Sequence, residues 1–328
     1  MTVRDRSVAI VGAGLMGRWH ATFVRRLGAR IAVVSDRDSE RADSLAARVG
    51  ARAVTEPGGW IDDCDVMHVC TPTASHVEWI ERALEARCHA IVEKPLASTV
   101  EECRRLLDLS ESSGLQVTPV HQFPFQRGFR HLLAKRKTLG DCVRLRYSVQ
   151  STGGRGLGEP ERQEVLRSLI PHGVSLFRGL GFTEWGVGDW NFWSPSADNL
   201  ELVSHSGAVC LEMSFSLRAR PPINELQVVG IQGTAVADLF HGFVTFDRGS
   251  EGRWGKLTRP FRRSLGLAAD ATVNLGVRAV RREPAYPGLL DFLGAAYAAM
   301  ESASMVIHPR EILQAAELME QVAGGLTD

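Results

Sequence analysis

The chain has 328 residues, of which 44% are hydrophobic and 23% are charged. These values are ordinary for globular proteins and exclude a disordered or fibrous chain, and the length allows two domains. Lysine plus arginine and aspartate plus glutamate each number 38. Because no net charge attracts a nucleic acid or an anionic membrane, we expect neither as a partner.

The cysteines and the N-terminus indicate the cell compartment. Six widely spaced cysteines include no C-x-x-C pair, which argues against a disulfide framework and a zinc site. The apolar part of the first strand is too short and wrongly flanked for a signal peptide. The sequence contains no run of about 18 apolar residues, so we expect no membrane span. We therefore expect a cytoplasmic protein without a bound metal.

Short apolar strands alternate with amphipathic helices over the first 121 residues. The predicted strands are Ser7–Val11, Arg30–Val34, Arg52–Val54, Asp65–Val69, His89–Val92 and Gln116–Val120. The predicted helices are Leu15–Leu27, Ser39–Val49, Ala74–Ala86 and Thr99–Ser112, the last with Glu102 placed for a capping box. This pattern predicts an α/β fold with a doubly wound parallel sheet, a Rossmann dinucleotide-binding domain over residues 1–121.

A glycine turn joins the first strand to the first helix in the segment V-A-I-V-G-A-G-L-M-G. Gly12 permits a tight turn, Gly14 leaves room for a pyrophosphate, and Gly17 lets the helix pack close to the sheet. The helix N-terminus, with Leu15 and Met16, directs free N–H groups at the phosphates. The turn therefore predicts a dinucleotide site.

The residues after the second strand bear on the choice of cofactor. Asp36 lies roughly 20 residues beyond the glycines, where a carboxylate accepts hydrogen bonds from the adenosine ribose. Its charge repels a 2′-phosphate, which favours NAD over NADP. Arg37 leaves NADP open, because a guanidinium can pair with that phosphate or stack on adenine.

Two further strand ends carry polar side chains. The segment C-T-P-T-A-S-H follows the fourth strand, at the edge where a doubly wound sheet opens its crevice. We expect Cys70, Thr71 and Pro72 to contact the cofactor. His76 is interpreted as a structural or cofactor-lining residue rather than a catalytic one.

The segment E-K-P follows the fifth strand. Partial desolvation lowers the pKa of a lysine, so Lys94 is expected both to donate a hydrogen bond to a substrate oxygen and to relay a proton. Glu93 either holds that ammonium or contacts the cofactor ribose. The alternative is an ordinary surface salt bridge.

Longer alternating segments follow residue 121. The predicted strands are Val143–Gln150, Glu184–Trp193, Leu200–His205, Ala208–Leu217, Leu226–Gly230 and Thr234–Thr245, and the predicted helices are Glu161–Leu180, Gly288–Ser302 and Pro309–Ala323. Period-two alternation predicts a C-terminal α+β domain over residues 122–328, built on a mostly antiparallel open sheet.

Two segments keep open interpretations. The glycine-rich segment of residues 151–160 is a mobile lid or an ordinary surface connection. Residues 253–283 carry many arginines and no clear period. They form either a solvated excursion or a patch for an acidic substrate or partner.

Taken together, G-A-G-L-M-G, T-P-T-x-x-H, E-K-P and the later I-P-H-G-V-S-L-F-R-G-L-G resemble one family. This is the glucose–fructose oxidoreductase, inositol dehydrogenase and rhizopine catabolism (Gfo/Idh/MocA) family of nicotinamide-dependent oxidoreductases. The resemblance covers essentially the whole chain and is strongest over residues 7–122. It implies that Lys94 orients the reacting oxygen, that His172 is the general acid/base, and that Gln122 contacts the cofactor. It also implies a homodimer or homotetramer formed through the open face of the second sheet.

The chain departs from the family pattern around His172. Family members that act on sugars and inositols often have aspartates where this chain has Ser168 and Ser175, and losing a carboxylate removes a partner that orients the imidazole. Phe123 lies in the segment H-Q-F-P-F-Q, which replaces an arginine-containing one. Phe123, Ser168 and Ser175 are candidate substrate contacts in a less acidic, more aromatic pocket.

The resemblance predicts reversible hydride transfer at a secondary alcohol or ketone of a sugar, cyclitol or related small molecule. Three alternatives stay open. They are an imine reductase, a catalytically silent NAD(P)-binding regulatory protein, and NAD-dependent glycoside cleavage through transient oxidation.

Overall fold

A computed structural model describes residues 3–249, 252–302 and 304–325. The chain forms two compact units. The first contains the residues up to 121 together with 289–317, and the second contains 122–288 and the residues from 318 onward. The proposed domains, 1–121 and 122–328, stay a prediction about which parts fold independently.

The first unit is built on a six-stranded parallel sheet. Its strands are β1 (Ser7–Val11), β2 (Arg30–Ser35), β3 (Arg52–Val54), β4 (Val66–Val69), β5 (His89–Val92) and β6 (Val117–Pro119). Their order is β3-β2-β1-β4-β5-β6, which is the doubly wound order with its reversal between β1 and β4. The predicted parallel Rossmann sheet is thereby confirmed.

Four helices connect these strands. They are α1 (Leu15–Leu27), α2 (Ser39–Val49), α3 (His76–Glu85) and α4 (Val100–Ser113). Thr99 caps α4: its Oγ1 accepts a hydrogen bond from the Glu102 N–H at 3.2 Å, and Glu102 Oε2 accepts one from the Thr99 N–H at 3.1 Å. This reciprocal capping box fixes where α4 begins.

The second unit is built on a seven-stranded sheet. Its strands are β7 (Cys142–Gln150), β8 (Asn191–Ser196), β9 (Asn199–Ser206), β10 (Val209–Ser216), β11 (Ile223–Gly230), β12 (Gly233–Asp238) and β13 (Phe243–Arg248), and its helices are α5 (Arg127–Lys135), α6 (Glu159–Arg167), α7 (Ile170–Gly179) and α8 (Arg253–Val280). The strand order is β13-β12-β11-β7-β10-β9-β8. Every pair is antiparallel except β7 with β10, which confirms the mostly antiparallel sheet.

The two faces of this second sheet differ in chemistry. One face carries fully buried side chains such as Tyr147 and Met213. The other carries charged, polar and half-buried apolar side chains, and on it Arg146 Nε donates to Glu212 Oε2 at 2.6 Å. Glu212 pairs with both Arg144 and Arg146, whereas Glu225 lies opposite Asp238. Oligomerisation through this face stays a prediction.

Three predicted elements of the second unit are wrong in detail. The strand expected over Glu184–Trp193 begins only at Asn191, because a 3₁₀ turn at Val187–Asp189 precedes it. The segment Thr234–Thr245 forms two antiparallel strands, β12 and β13. The helix expected over Glu161–Leu180 is broken after Arg167 into α6 and α7.

Two C-terminal helices return to the first unit. They are α9 (Leu289–Ser302) and α10 (Pro309–Gly325), of which the residues up to 317 belong to that unit. Tyr297 on α9 is fully buried, and Glu311 Oε1 on α10 lies 2.6 Å from Nδ1 of His121. The first unit is therefore completed by residues far along the chain.

The described residues contain neither a candidate membrane span nor a cluster of metal-ligating side chains. None of their helices is both long and apolar enough to cross a membrane. Within the same residues there is no group of three or more His, Cys, Asp or Glu side chains suited to a metal ion. All six cysteines lie in the described part of the chain and are free thiols.

Candidate functional site

Main-chain hydrogen bonds hold the carboxyl ends of strands β1, β4 and β5 side by side. The Cys70 N–H donates to Val11 O at 2.7 Å, and the Glu93 N–H donates to Val69 O at 2.9 Å. Because these strands are parallel neighbours, their carboxyl ends meet at one edge of the sheet. The glycine turn, the Thr71 segment and E-K-P all begin there.

Two glycines of the turn are required by the packing of the protein itself. Gly12 has a φ of +92°, and a Cβ added there would lie 2.6 Å from the carbonyl oxygen of Cys70. A Cβ on Gly17 would overlap the carbonyl oxygen of Gly12. These contacts hold the turn close both to the end of β4 and to α1.

Gly14 is different, because a Cβ at this position would meet no protein atom within 4 Å. Leu15, the first residue of α1, is 63% exposed, and Met16 is half-buried. Packing within the unit therefore explains neither the glycine nor the exposed leucine. A bare main chain at a helix N-terminus is what a pyrophosphate requires, so the residues present fit a dinucleotide.

Asp36 is tied to the glycine turn. Its Oδ2 accepts a hydrogen bond from the Ala13 N–H at 2.7 Å, and its Oδ1 accepts one from the Asp38 N–H at 2.9 Å. The carboxylate is thus fixed beside the turn, while Arg37 is exposed. The ribose contact of Asp36 and the part played by Arg37 stay predictions.

His76 links two of the strand-end loops. Its Nδ1 lies 2.9 Å from Pro95 O, and its Nε2 lies 2.9 Å from Thr71 O. Thr71 Oγ1 accepts a hydrogen bond from Ser75 Oγ at 2.8 Å, and Pro72 is exposed. The buried imidazole therefore joins the two loops. Its interpretation as structural or cofactor-lining, and the contact of residues 70–72 with a cofactor, stay predictions.

A buried chain of hydrogen bonds ends at Glu93. Glu93 Oε1 lies 3.1 Å from His20 Nε2, His20 Nδ1 lies 2.8 Å from His68 Nδ1, and His68 Nε2 lies 2.9 Å from the hydroxyl of Tyr297. Burial, with His20 beside it, holds the pKa of His68 well below its usual range. One donor arrangement serves the whole chain with both imidazoles neutral: Tyr297 donates to His68, His68 to His20, and His20 to Glu93. Glu93 is thereby oriented from beneath.

Sequence reasoning missed His20 and His68, the two histidines of this hydrogen-bonded chain. Their only sequence signal is a polar residue on an apolar element, such as His68 in the strand V-M-H-V. Glu93 Oε1 already contacts His20. If Glu93 also holds the ammonium of Lys94, the two groups share one carboxylate.

Lys94 follows β5 and is half-buried. Burial lowers the pKa of its ammonium, and the neighbouring Glu93 carboxylate opposes that shift. The Lys94–Pro95 peptide bond is cis. A lysine with a lowered pKa at this sheet edge can donate a hydrogen bond and gives up its proton more readily than a solvated lysine.

His172 belongs to the second unit, near the start of α7. It is 6% exposed, and its ring centroid lies 4.4 Å from that of Phe123, at an interplanar angle of 40°. A Cβ added to Gly173 would lie 2.6 Å from Met213 Sδ and 3.1 Å from Tyr147 Cδ1. Gly173 therefore lets α7 sit directly on β7 and β10. Sequence reasoning missed it, although a glycine within an apolar helix is a recognisable signal.

The two serines near His172 bring no charge to it. Ser168 Oγ donates to Val165 O at 2.8 Å, and Ser175 is buried, with no hydrogen-bond partner for its Oγ among the described residues. Gln122 is also buried. The roles of Gln122, Phe123, Ser168 and Ser175 stay predictions, as does the meeting of Lys94 with His172, which lies in the other unit.

Comparisons with known proteins bear on the class. Residues 6–121 match the family model described as an oxidoreductase family with an NAD-binding Rossmann fold. Inositol 2-dehydrogenase 1 of Mycolicibacterium vanbaalenii is 37% identical over 303 residues, 84% of each chain. Inositol 2-dehydrogenase 3 of Saccharopolyspora erythraea is 36% identical over 124 residues, so that match spans 37% of this chain and only about a third (36%) of the relative. The crystal structure of GenD2 from gentamicin A biosynthesis in complex with NAD has the same fold, with a TM-score of 0.74, 19% identity and coverage of 98% of this chain and 94% of GenD2.

The parallel sheet, the bare glycine turn and the matched Rossmann model define the class, an NAD(P)-dependent oxidoreductase. The relative that aligns over most of both chains narrows this class. The chain belongs to the Gfo/Idh/MocA family of oxidoreductases. The resemblance seen in the sequence and the expectation of a nicotinamide dinucleotide are thereby confirmed.

Proposed function

We propose that the protein catalyses reversible hydride transfer at a secondary alcohol or ketone of a sugar, a cyclitol or a related small molecule. The observation that carries the proposal is Lys94, whose pKa is lowered by burial and which follows β5 at the sheet edge that also holds the glycine turn. The similarity to an inositol 2-dehydrogenase over 84% of the chain supports a polyhydroxylated substrate class.

The cofactor would be held by the first unit. Gly12 and Gly14 leave the main chain bare for the pyrophosphate, and the N-terminus of α1 directs its N–H groups and dipole at the same place. Asp36 lies beside the turn, where its carboxylate would accept hydrogen bonds from the ribose hydroxyls. When bound, the nicotinamide accepts or supplies the hydride.

The protein side chains would manage the proton. Lys94 Nζ donates a hydrogen bond to the reacting oxygen and polarises it. His172 takes the hydroxyl proton when an alcohol is oxidised and returns a proton to the oxygen when a ketone is reduced. An imidazole suits this role because it changes protonation state near neutral pH, and such transfer typically contributes ~10²–10⁴-fold in rate.

The surroundings of His172 favour a substrate with fewer hydroxyls than inositol on that side. Phe123 packs against the imidazole, and Ser168 and Ser175 are neutral where carboxylates would bind additional hydroxyls. The same neutral surroundings are compatible with a C=N substrate. An imine is therefore a candidate substrate as well.

The test measures nicotinamide absorbance with purified protein. NAD or NADP is offered with inositols, monosaccharides and deoxygenated cyclitols, and the reduced cofactors are offered with the matching ketones and with cyclic imines. Turnover of an alcohol or ketone supports the proposal. We expect Lys94→Met to lower kcat by about 10³-fold while the cofactor Kd stays within about twofold, because Lys94 acts on the reacting oxygen.

The matched control is Lys137→Met, which removes an exposed lysine of the second unit and should change neither constant. Turnover of imines alone would overturn the proposal in favour of an imine reductase. Cofactor binding without turnover of any class would identify a binding protein. Sugar release from an added glycoside, without net cofactor reduction, would identify glycoside cleavage.

A further inference from the structure

Helix α8, the arginine-rich segment left unassigned by sequence, is attached to the second unit by one side. Asn274 is buried, and its Nδ2 donates to His241 O at 2.9 Å. Arg259 Nε donates to Asp247 Oδ2 at 2.8 Å on β13, and Arg278 Nε donates to Glu283 O at 2.9 Å. Polar side chains therefore make the attachment.

The opposite side of α8 is apolar and faces solvent. Trp254, Leu257, Phe261, Leu265 and Leu275 are each between 64% and 79% exposed. At about 100° per residue they share one stripe, and Asn274 points about 200° away from Trp254. This arrangement is the reverse of an ordinary surface helix, which turns its apolar stripe to the core.

The residues of this stripe are ordered by size. We define the α8 seam as the stripe's ten residues, which are Trp254, Leu257, Thr258, Phe261, Leu265, Ala268, Thr272, Leu275, Gly276 and Ala279. Its N-terminal half is large except at Thr258, and its C-terminal half is small except at Leu275.

That order is self-complementary. If two α8 helices pack antiparallel about an axis between residues 266 and 267, every large residue faces a small one. The facing pairs are Trp254 with Ala279, Leu257 with Gly276, Thr258 with Leu275, Phe261 with Thr272, and Leu265 with Ala268. A two-fold interface requires this kind of matching, because the same surface patch is presented by both copies.

The charges favour the same orientation. Arg253, Lys256, Arg259, Arg262 and Arg263 all lie in the N-terminal half, with no acidic residue before Asp270. A parallel pair would place two such groups side by side. An antiparallel pair separates them along a helix about 42 Å long, well beyond the Debye length of about 8 Å at physiological salt.

The exposed area is also of the right size. The five large side chains expose on the order of 600 Å² per copy, at the upper end of the roughly 300–600 Å² of the largest apolar patch on a typical monomer and close to the roughly 800 Å² that each partner buries in a standard interface. A membrane surface fits less well, because among the basic residues of the N-terminal half only Arg253 and Arg262 flank the seam, whereas Lys256 and Arg263 lie on the side of α8 away from it.

We propose that the α8 seam is a homodimer interface, covered by the α8 seam of a second copy of this chain in antiparallel orientation. The proposal does not depend on the proposed function. Arg259 holds α8 against Asp247, whose side chain lies on the same face of the second sheet as Arg144, so the seam adjoins that open face.

The first test measures molar mass by light scattering after size-exclusion chromatography at micromolar concentration. Leu265→Glu places two charges at the centre of the seam and should halve the mass of the assembly. The matched control is Leu267→Glu, which makes the same change two residues along, off the seam, and should leave the mass unaltered. Circular dichroism and cofactor binding check that each variant is folded.

The second test concerns orientation. Ala279→Trp alone places one tryptophan against another and should weaken the assembly at least tenfold, whereas Trp254→Ala combined with Ala279→Trp should restore it, because large again faces small. An unchanged mass in Leu265→Glu, an equal loss in Leu267→Glu, or no restoration in the double variant would each overturn the proposal. So would a monomeric protein that binds anionic phosphatidylserine vesicles through the seam.

Discussion

In the first unit the glycine turn and Asp36 are placed by main-chain atoms. Gly17 has no room for a Cβ against the carbonyl oxygen of Gly12, and Asp36 is held by the Ala13 N–H. In the second unit His172 is placed by side chains, with Phe123 against its ring and Met213 behind Gly173. Main-chain contacts leave little freedom of sequence, whereas side-chain contacts can be exchanged. Under the proposed function, this difference would make the cofactor site more constrained in sequence than the surroundings of His172.

The largest expected effect is that of a methyl group in the glycine turn. Gly17→Ala should destabilise the first unit by about 3 kcal/mol and abolish measurable cofactor binding, because α1 must move away from Gly12. In the matched variant Gly14→Ala the added methyl group meets no protein atom. This variant should keep its melting temperature but lose cofactor affinity, because the methyl group occupies the space left for the pyrophosphate. Thermal unfolding and fluorescence titration check both. An equal loss of stability in Gly14→Ala would remove the distinction between the two glycines.

A smaller effect is expected at the corresponding point of the second unit. Gly173→Ala meets the flexible end of Met213 rather than main chain, so the cost should be about 1–2 kcal/mol. The shift of α7 displaces His172 and should lower kcat without changing the cofactor Kd. Adding Met213→Ala opens space for the new methyl group, and a double-mutant cycle should then show a favourable coupling. Additive losses would argue that Gly173 does not position the helix.

The smallest expected effect concerns acid and the buried imidazole of the first unit. The folded pKa of His68 is held well below 6.5 by burial, so the unfolded chain binds more protons once the pH falls below about 6.5. The free energy of unfolding should therefore fall between pH 7 and pH 5, by at most about 1.4 kcal/mol per pH unit for this group. Denaturant unfolding should show a weaker pH dependence in His68→Gln and an unchanged one in His308→Gln, which alters an exposed histidine. The same slope in wild type and His68→Gln would contradict the assignment.

How far the sequence predicted each region follows from the same contrast. The glycine turn, Asp36 and the parallel strands are specified by local main-chain requirements, and the sequence identifies them directly. The strand predicted over Glu184–Trp193 was wrong because Trp185 and Trp190 pack edge to face, with ring centroids 5.4 Å apart, around a turn. Helix α8 was left unassigned although Trp254, Leu257 and Phe261 begin an apolar stripe at helical spacing, because its many arginines and the internal Pro260 obscure that period. The link from His20 to His68 joins residues 48 positions apart, which no local signal reports.

The return of residues 289–317 to the first unit has a consequence for biosynthesis. Tyr297 closes the hydrogen-bond chain to Glu93, and Glu311 bonds to His121. A ribosome must therefore translate the whole of residues 122–288 before the helices that complete the nucleotide unit emerge from its exit tunnel. A nascent chain that terminates early leaves His68 and His121 at an unfinished surface, so a cell's quality-control proteases would meet a half-built nucleotide unit rather than a working one.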